Sequence, residues 1–428
     1  MNASAKANHV LDQLPEGGLF ASHEWRIAPD PFPLNHELSH ELMGLGRILH
    51  KFYQAADLLY RHSIIDKAPA WVAEYLEKGK PKYVIDLQRK EAFKNNLPRV
   101  IRPDILLTED GWHITELDSV PGGIGLTAWL NHVYPSTLGG KNGMLEGFAG
   151  IFTKNGNKHI IVSEESKTYR PEMEWLAKNL DDKYTVRDSD FTDFSEGDTI
   201  YRFFELFDLP NVSAAEKIFN YASNKIINLT APPKSYLEEK MLFALFWNSN
   251  LQEFWQRELG KKYFQLLKKV IPQTWIIDPT PIPPHATIPH LNLTNWNQLA
   301  ELSQKNRRLI LKLSGFNEKA WGARSVRFGA DLSQSQWAEA VEKSISDFDK
   351  SPWILQEYKK PRLTEHDWYD FNTNTLAPMK GRVRLCPYYF VHDEKDIKLG
   401  GVLATICPAD KKIIHGMRDA ILAPCSSK

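Results

Sequence analysis

Apolar residues recur every three to four positions between residues 35 and 77. A repeat with a period near 3.6 is typical of a helix that buries one face. The repeat consists of Leu42, Leu45, Ile48, Leu49, Phe52 and Ala56. This part of the chain is therefore predicted to be mostly helical.

From residue 158 the pattern changes to short apolar runs separated by amphipathic segments. The strand-like runs are HIIVS, KYTVRD, DTIYRFF and KIINL, and the helix-like segments are PEMEWLAKNL and SAAEKIFNYASN. Strands that alternate with helices at this spacing favour a parallel sheet with helices packed on it. The sequence therefore predicts an α/β layer here.

The second half of the chain predicts a further set of helices and strands. A helix is predicted at SYLEEKMLFALFW, where Ser235 and Glu238 have the spacing of a capping box. The proline-rich stretch from 271 to 296 is predicted to be irregular. Beyond it, QSQWAEAVEKSISDF is helix-like, and the predicted strands are RLILKLS, WILQEY, RVRLCPYYFV and GGVLATICP.

Composition excludes several classes of protein. Apolar residues make up 42% and charged residues 25% of the 428 positions, an ordinary balance for a globular chain. Lys+Arg and Asp+Glu both number 53, so the basic excess of a nucleic-acid binder is absent. Three cysteines without paired spacing argue against a disulfide framework or a zinc site. No apolar stretch suits a signal peptide or a membrane span, so we expect a cytoplasmic protein without membrane partners.

The segment RVIRPDILLTEDGWHITELDSVPGG carries the most informative charges. Two β-prone runs flank residues 109–111, and a three-residue loop ending in glycine favours a hairpin. In that register Arg102 faces Asp118 and Asp104 faces Glu116, because cross-strand partners share a face. The alternative is a two-residue turn on Asp110 and Gly111, which sends Asp104 and Glu116 to opposite faces. We favour the first register.

Three carboxylates on one face repel one another unless a cation lies between them. Oxygen ligands of this kind suit Mg²⁺, which takes one or two protein carboxylates and completes its shell with phosphate and water. The competing interpretation is a hairpin whose charges are simply solvated.

Two lysines in the second half are candidates for phosphate binding. Lys312 interrupts the apolar run LILKLS, and the loop after it contains Gly315 and Gly322. A phosphate is a plausible partner, because lysine is rarely buried without one. The alternative is a lysine that protects an edge strand from aggregation. Lys240 lies in the predicted helix SYLEEKMLFALFW and is equally ambiguous.

Two strand segments offer further contacts for a nucleotide. The strand WILQEY ends in polar residues that suit an adenine edge, although an ordinary strand end has the same pattern. Arg382 and Arg384 share one face of their strand, where two arginines suit a triphosphate. A solvated strand face is the alternative.

The order of these pieces resembles the synthetase domain of glutathionylspermidine synthase over roughly residues 95 to 420. The resemblance implies an α/β ATP-grasp fold in circularly permuted order, with a Rossmann-like pre-ATP-grasp subdomain. A linker near residue 150 and a change of composition near residue 230 are the predicted boundaries. With the resemblance they predict an N-terminal helical region plus acidic hairpin at 1–150, the pre-ATP-grasp subdomain at 151–232, and an ATP-binding subdomain with lid and core strands at 233–428.

The resemblance also assigns roles to residues. The family's Arg-x-Asp and Glu-x-Asn strands match residues 102–104 and 116–118, which implies a catalytic Arg102 that contacts substrate. The implied magnesium ligands are Asp104, Glu116 and Asp118. The implied ATP-binding residues are Lys240, Lys312, Gly322, Gln356, Glu357, Tyr358 and Arg384, with Arg382 as the alternative to Arg384.

The chain departs from the family at two places. Asp118 stands where the family has asparagine, and Val120-Pro121-Gly122-Gly123 stands where it has serines. The resemblance therefore implies a reaction type without a substrate. The expected protein is a ligase that uses ATP and Mg²⁺ to join a small-molecule carboxylate to an amine through an acyl phosphate. The alternatives are an ATP-dependent phosphotransferase and a catalytically silent nucleotide-binding or scaffold protein.

Overall fold

A computed structural model describes residues 1–21, 24–411, 414 and 418–428. The described residues form a mixed α/β structure of twelve α-helices and sixteen β-strands. The helices are α1 Ala3–Asp12, α2 Gly18–Ala21, α3 His36–Ile64, α4 Trp71–Glu77, α5 Lys82–Gln88, α6 Ile124–Val133, α7 Gly143–Gly150, α8 Arg170–Lys178, α9 Ala215–Ser223, α10 Met241–Trp247, α11 Gln252–Val270 and α12 Gln334–Ser346. No helix in these described ranges combines the length and apolar character that a bilayer crossing requires.

The strands include a group of short ones near the N-terminus and a group of long ones near the C-terminus. They are β1 Arg26–Ile27, β2 Phe32–Leu34, β3 Val100–Thr108, β4 Gly111–Asp118, β5 Lys158–Val162, β6 Tyr184–Arg187, β7 Thr199–Phe203, β8 Asn228–Thr230, β9 Thr274–Ile276, β10 Leu309–Leu313, β11 Arg327–Phe328, β12 Trp353–Glu357, β13 Leu363–Asp370, β14 Thr375–Val391, β15 Ile397–Pro408 and β16 Ile421–Ser427.

Contacts group the chain into two units, each built from segments that are distant in sequence. The first unit contains Met1–Lys51, Arg89–Pro233 and Pro361–Lys428. The second contains Phe52–Gln88 and Lys234–Lys360. The three-part division predicted from the sequence stays a prediction.

The first unit contains an eight-stranded sheet, whose main path runs β1-β16-β15-β14-β3-β4. Strand β13 pairs with β14, and β2 pairs with β16. The predicted strands RVRLCPYYFV and GGVLATICP are confirmed as parts of β14 and β15. The apolar end of β14 is buried from Leu385 to Val391, so it anchors β3 beside it within the core.

The first unit also contains a four-stranded sheet in the order β6-β5-β7-β8. All three pairings are parallel, which confirms the α/β layer predicted from residue 158. Every residue of β5 is buried, and α8 contributes Met173 and Leu176 to the same core. An apolar strand covered by an amphipathic helix is the arrangement that the alternating pattern predicted.

The second unit contains an antiparallel sheet in the order β11-β10-β12-β9. Its core includes Leu311, Leu355 and Trp337, the last on the buried face of α12. Helix α12 begins with a complete capping box, in which Ser333 and Gln336 each bind the other's backbone N–H. The predicted helix and the strands RLILKLS and WILQEY are thus confirmed.

The capping box predicted at Ser235 and Glu238 is wrong. Residues Ser235–Glu238 form a 3₁₀ turn, and helix α10 begins only at Met241. The Ser235 hydroxyl is buried and donates to Gln88 Oε1 at 2.6 Å, so it contacts a distant segment of the chain instead of capping a helix. Lys240 consequently precedes the helix instead of lying inside it.

Candidate active site

Strands β3 and β4 form the hairpin that the sequence predicted. Arg102 pairs with Asp118, and Asp104 pairs with Glu116, so the predicted pairing is confirmed. The predicted three-residue loop is wrong, however. Thr108 pairs directly with Gly111, which leaves a two-residue turn.

A β-bulge at Thr115 reconciles the short turn with the predicted pairing. Ile105 pairs with Ile114 whereas Asp104 pairs with Glu116, so Thr115 is an extra residue on β4. Without it, Asp104 would pair with Thr115 and Glu116 would turn to the opposite face, because side chains alternate along a strand. The bulge therefore places the acidic side chains on one face of the hairpin.

Two arginines and two aspartates form an ion-pair network on this face, which we call the hairpin cluster: Arg102, Asp104, Asp118 and Arg384. Arg102 Nη2 lies 3.2 Å from Asp104 Oδ1 and 3.0 Å from Asp118 Oδ2. Arg384 Nη1 lies 3.1 Å from Asp104 Oδ2. All four side chains are at least four-fifths buried, so the interpretation of a hairpin with solvated charges does not describe this face.

The two arginines of β14 have different environments. Arg384 pairs with Asp104 in the hairpin cluster. Arg382 instead directs its guanidinium to the backbone carbonyls of Ala409 and Lys411 beyond the end of β15. Arg384 is therefore the better candidate of the two for phosphate binding, a role that stays a prediction.

Burial and charge shift the ionisation of the cluster. Burial by itself lowers the pKa of Arg102 and of Arg384, but the facing carboxylates outweigh it and raise both values. Burial raises the pKa of Asp118, against the opposing effect of Arg102. Burial also raises the pKa of the Cys386 thiol to about 12, so the thiol stays protonated beside Asp104 Oδ1 at 3.5 Å. The cluster thus keeps its guanidiniums charged at any ordinary pH.

The donor chemistry of this face fits magnesium. Asp104, Glu116 and Asp118 offer only oxygen atoms as ligands. The negative charges of Glu116 and Asp104 each help to raise the pKa of Asp118. Among the residues that the structure describes, no three His, Cys, Asp or Glu side chains converge as a ready-made metal site. A carboxylate oxygen can accept more than one contact, so the arginines do not use up the acceptor capacity of the aspartates. The assignment of these residues as magnesium ligands stays a prediction.

The glycines that follow the hairpin are required by two tyrosines. A Cβ at Gly122 would lie 2.4 Å from the ring of Tyr169, and one at Gly123 would lie 2.6 Å from the Tyr388 hydroxyl. Gly123 also has a φ of +84°. The Tyr388 hydroxyl donates to the Gly122 carbonyl at 2.7 Å. The serines of the resembling family are thus replaced by a loop that packs directly on aromatic rings.

Sequence reasoning missed Glu172, which is fully buried beside this loop. Helix α6 has no side-chain cap of its own, and Glu172 Oε2 accepts a hydrogen bond from the N–H of Leu126 in its first turn at 3.0 Å. Burial raises the pKa of Glu172 to about 8. The available signal was its spacing of four residues from Leu176, which puts it on the buried face of α8.

Changing Glu172 to glutamine is expected to flatten the dependence of stability on pH. Below its ordinary pKa of 4.5 the carboxyl is protonated in both folded and unfolded chains. Between 4.5 and about 8 only the unfolded chain releases the proton, so the free energy of unfolding falls as the pH rises. Each pKa unit corresponds to about 1.4 kcal/mol, so the fall should amount to a few kcal/mol.

Urea denaturation at pH 5 and pH 8.5 would measure this fall for the wild type and for Glu172→Gln. Glu174→Gln, an exposed neighbour on α8, is the matched control, and its free energy of unfolding should fall with pH as much as that of the wild type. An equal fall between the two pH values for the wild type and Glu172→Gln would contradict the assignment.

In the second unit, Lys312 lies on the interior strand β10 of its sheet, between β11 and β12. The interpretation of an edge-strand lysine is therefore wrong. Its ammonium group is buried and donates to Gln356 Oε1 at 2.9 Å, and Gln356 Nε2 donates to Thr274 Oγ1 at 3.2 Å. The structure thus brings together Lys312 and Gln356, two of the predicted ATP-binding residues.

Lys240 is tied to the loop that follows β10. Its backbone N–H donates to the carbonyl of Ser314 at 3.0 Å, and its ammonium group donates to the carbonyl of Ala320 at 2.9 Å. Gly322 lies in the same loop with a φ of +62°, a conformation that favours glycine. Lys240 and the glycine loop therefore belong to one local structure, as a phosphate-binding role requires.

The end of β12 is already hydrogen-bonded within its unit. The N–H of Glu357 donates to the backbone carbonyl of Gln273 at 2.8 Å, and the N–H of Tyr358 donates to the backbone carbonyl of Arg308 at 3.0 Å. The Glu357 carboxylate pairs with Lys359 at 3.0 Å. An adenine ring would have to use other groups of this strand end, and the adenine contact stays a prediction.

Similarity to known proteins is visible in structure but not in sequence. The chain resembles a glutathione synthetase-like effector from Globodera pallida, solved in its apo form, with a TM-score of 0.55 and 11% identity over 100% of this chain and 98% of that one. A candidate gamma-glutamylcysteine synthetase from Methylobacillus flagellatus gives a TM-score of 0.40 and 10% identity over 82% and 87% of the two chains, too weak to support an inference. No protein-family model matches the sequence, and no curated protein matches it.

The fold is therefore similar to that of the glutathione synthetase-like effector. The expected ATP-grasp architecture and its circularly permuted order stay predictions.

Proposed function

We propose that this protein is a ligase that uses ATP and Mg²⁺ to join a carboxylate to an amine. The hairpin cluster is the observation that carries the proposal, because it holds two guanidiniums and two carboxylates on one largely buried face. The likeness of the fold to a glutathione synthetase-like protein supports the same reaction class.

Arg102 is the proposed catalytic residue. Its guanidinium is planar and permanently charged, so it can bind a substrate carboxylate through two parallel hydrogen bonds. In the present structure Arg102 Nη2 contacts Asp104 and Asp118. A guanidinium carries five N–H donors, so the acid can use the donors that these two contacts leave.

Asp104, Glu116 and Asp118 are the proposed magnesium ligands. Magnesium bound there would supply positive charge to the phosphates during transfer. The same positive charge would compensate the two aspartates, so that Arg102 becomes available to the substrate acid. This explains why carboxylates and arginines are interleaved in the hairpin cluster.

The proposed reaction has two steps. An oxygen of the acid attacks the γ-phosphorus, and the bond from that phosphorus to ADP breaks. The nitrogen of the amine then attacks the acyl carbon, phosphate leaves, and the nitrogen loses a proton. Lys240, Lys312 and Arg384 are the proposed partners of phosphate oxygens, and Gly322 and residues 356–358 are the proposed contacts of the rest of the nucleotide.

One observation favours a second candidate, a catalytically silent nucleotide-binding protein. Both oxygens of Asp104 already contact arginines, and the Asp118 carboxylate is held by Arg102 and by the N–H of Val120 at 2.9 Å. A network that compensates itself in this way is stable without a ligand.

Release of ADP would separate these functions. The protein is incubated with ATP, Mg²⁺ and pairs drawn from amino acids, short peptides and polyamines. ADP release that requires both an acid and an amine supports the ligase. Release with one substrate and a stable phosphorylated product indicates a phosphotransferase, and ATP binding without release across the panel indicates the silent protein.

Changing Lys312 to alanine is expected to weaken ATP binding by about 10- to 100-fold. The estimate follows from the roughly 1.5–3 kcal/mol that a hydrogen bond to a charged group contributes. Isothermal titration of ATP would measure it, with the exposed Lys305→Ala of the same unit as the control. Unchanged ATP affinity in a folded Lys312→Ala protein would remove the strand lysine from the proposed site.

A further inference from the structure

The first unit contains a cavity of about 480 Å³ formed by α1 and by the segment that follows α6. None of the hairpin cluster residues lines it. Its walls include the apolar side chains of Val10, Val133 and Tyr134. This volume lies in the range that small-molecule sites usually have.

The polar groups on the rim of this cavity are basic. Lys6, His9, His132 and Lys141 all line it, and the residues lining it include no aspartate or glutamate. Lys6 also contacts Asp30 outside the cavity at 2.6 Å. Partial burial and then the charge of Lys141 lower the pKa of His132, so its imidazole is largely uncharged near pH 7 and Lys141 supplies positive charge at this rim. An anion placed there would be attracted by Lys141 and would accept hydrogen bonds from the imidazoles.

Thr137 also lines the cavity and is only 9% exposed. Its Oγ1 is enclosed by the protein and has no hydrogen-bond partner among the described residues. A ligand in the cavity would therefore contact other atoms of this loop and not the hydroxyl.

The loop that carries Thr137 is held in place by its backbone. The N–H of Leu138 donates to the backbone carbonyl of Cys425 at 2.7 Å, and the N–H of Gly140 donates to the backbone carbonyl of Thr137 at 3.0 Å. A Cβ at Gly139, which has a φ of +86°, would lie 2.1 Å from the Gly400 carbonyl. The cavity is therefore preformed and needs little reorganisation on binding.

We propose that this cavity binds a small amphipathic anion, a molecule with one phosphate or carboxylate group and an apolar chain or ring. The basic rim binds the anionic group, and the walls around Val10 and Val133 receive the apolar part. The proposed ligase reaction assigns no role to this site, so the two proposals stand separately.

Isothermal titration with octyl phosphate and with octanoate, below their micelle concentrations, tests the site. Either probe should bind saturably with one molecule per chain. Octanol, which lacks the charge, and inorganic phosphate, which lacks the apolar chain, should each bind at least tenfold more weakly. Failure of both probes to bind saturably, or octanol or inorganic phosphate binding as tightly as the probes, would overturn the proposal.

Variants locate the binding within the cavity. Lys141→Glu should weaken the probe at least tenfold and His9→Glu about threefold, while Lys154→Glu, an exposed lysine that does not line the cavity, should bind normally. Thermal unfolding establishes that each variant is folded. Wild-type affinity in both cavity variants would exclude the cavity as the site. Lys141→Glu should retain the ADP release of the wild type, so failure of this proposal is distinguishable from failure of the ligase proposal.

Discussion

Replacement of Asp104 by alanine is expected to lower the free energy of unfolding by about 3–5 kcal/mol. The side chain is only 10% exposed and contacts both Arg102 and Arg384. Its removal leaves two largely buried guanidiniums and one remaining carboxylate of the cluster, Asp118, which contacts Arg102. Denaturant unfolding followed by fluorescence would measure the loss.

Two controls separate this effect from a general loss of packing. Asp182→Ala, an exposed aspartate of the same unit, should change stability by less than about 0.5 kcal/mol. The double variant Asp104→Ala with Arg384→Ala should lose less than the sum of the two single changes, because each single change strands a charge. A loss below about 1 kcal/mol for Asp104→Ala would show that water compensates the arginines.

Changing Glu116 to glutamine and Arg102 to lysine should lower turnover by about 100-fold each, for different reasons. Glutamine keeps the shape of Glu116 but removes a negative charge that magnesium needs, so added Mg²⁺ should partly restore turnover. Lysine keeps the charge of Arg102 but loses the two-pronged geometry that suits a carboxylate. Added Mg²⁺ should therefore leave Arg102→Lys unchanged, while ATP still binds.

The measurement is ADP release against Mg²⁺ concentration for the wild type and both variants, once a substrate pair is known. Glu109→Gln, at the turn and outside the hairpin cluster, is the matched control for loss of a charge. Rescue of Arg102→Lys by magnesium, without rescue of Glu116→Gln, would reverse the roles assigned to the two residues.

The regular parts of the fold were predictable because each follows from local patterning. The period of 3.6 before residue 77 is confirmed by α3 and α4, and the alternation from residue 158 by the parallel sheet. Strands β1 and β2 were missed because they are two and three residues long and pair with the distant β16. Strand β13 was missed because most of its residues are only partly buried or exposed, so its apolar signal is weak.

In the candidate site too, features that depend on neighbouring residues were predictable and features that depend on distant residues were not. The pairing of Arg102 with Asp118 follows from two short β-prone runs, and it is confirmed. A two-residue turn with a bulge at Thr115 and a three-residue loop without a bulge give the same pairing of Asp104 with Glu116. The local sequence pattern could therefore not distinguish the two arrangements. Glu172 caps a helix 46 residues away in sequence, and no periodicity predicts that contact.

The bulge at Thr115 also bears on how this hairpin can change length. A residue added to or removed from the tip reverses the orientation of everything beyond it on one strand, whereas a change of two restores it. The extra residue at Thr115 allows a two-residue tip to give the same pairing of Asp104 with Glu116 that a three-residue tip without a bulge would give. The pairing is also compatible with a two-residue tip and a strand β4 that is one residue shorter. Deletion of Thr115 should therefore leave Asp104 opposite Glu116, because Glu116 then follows Ile114 directly.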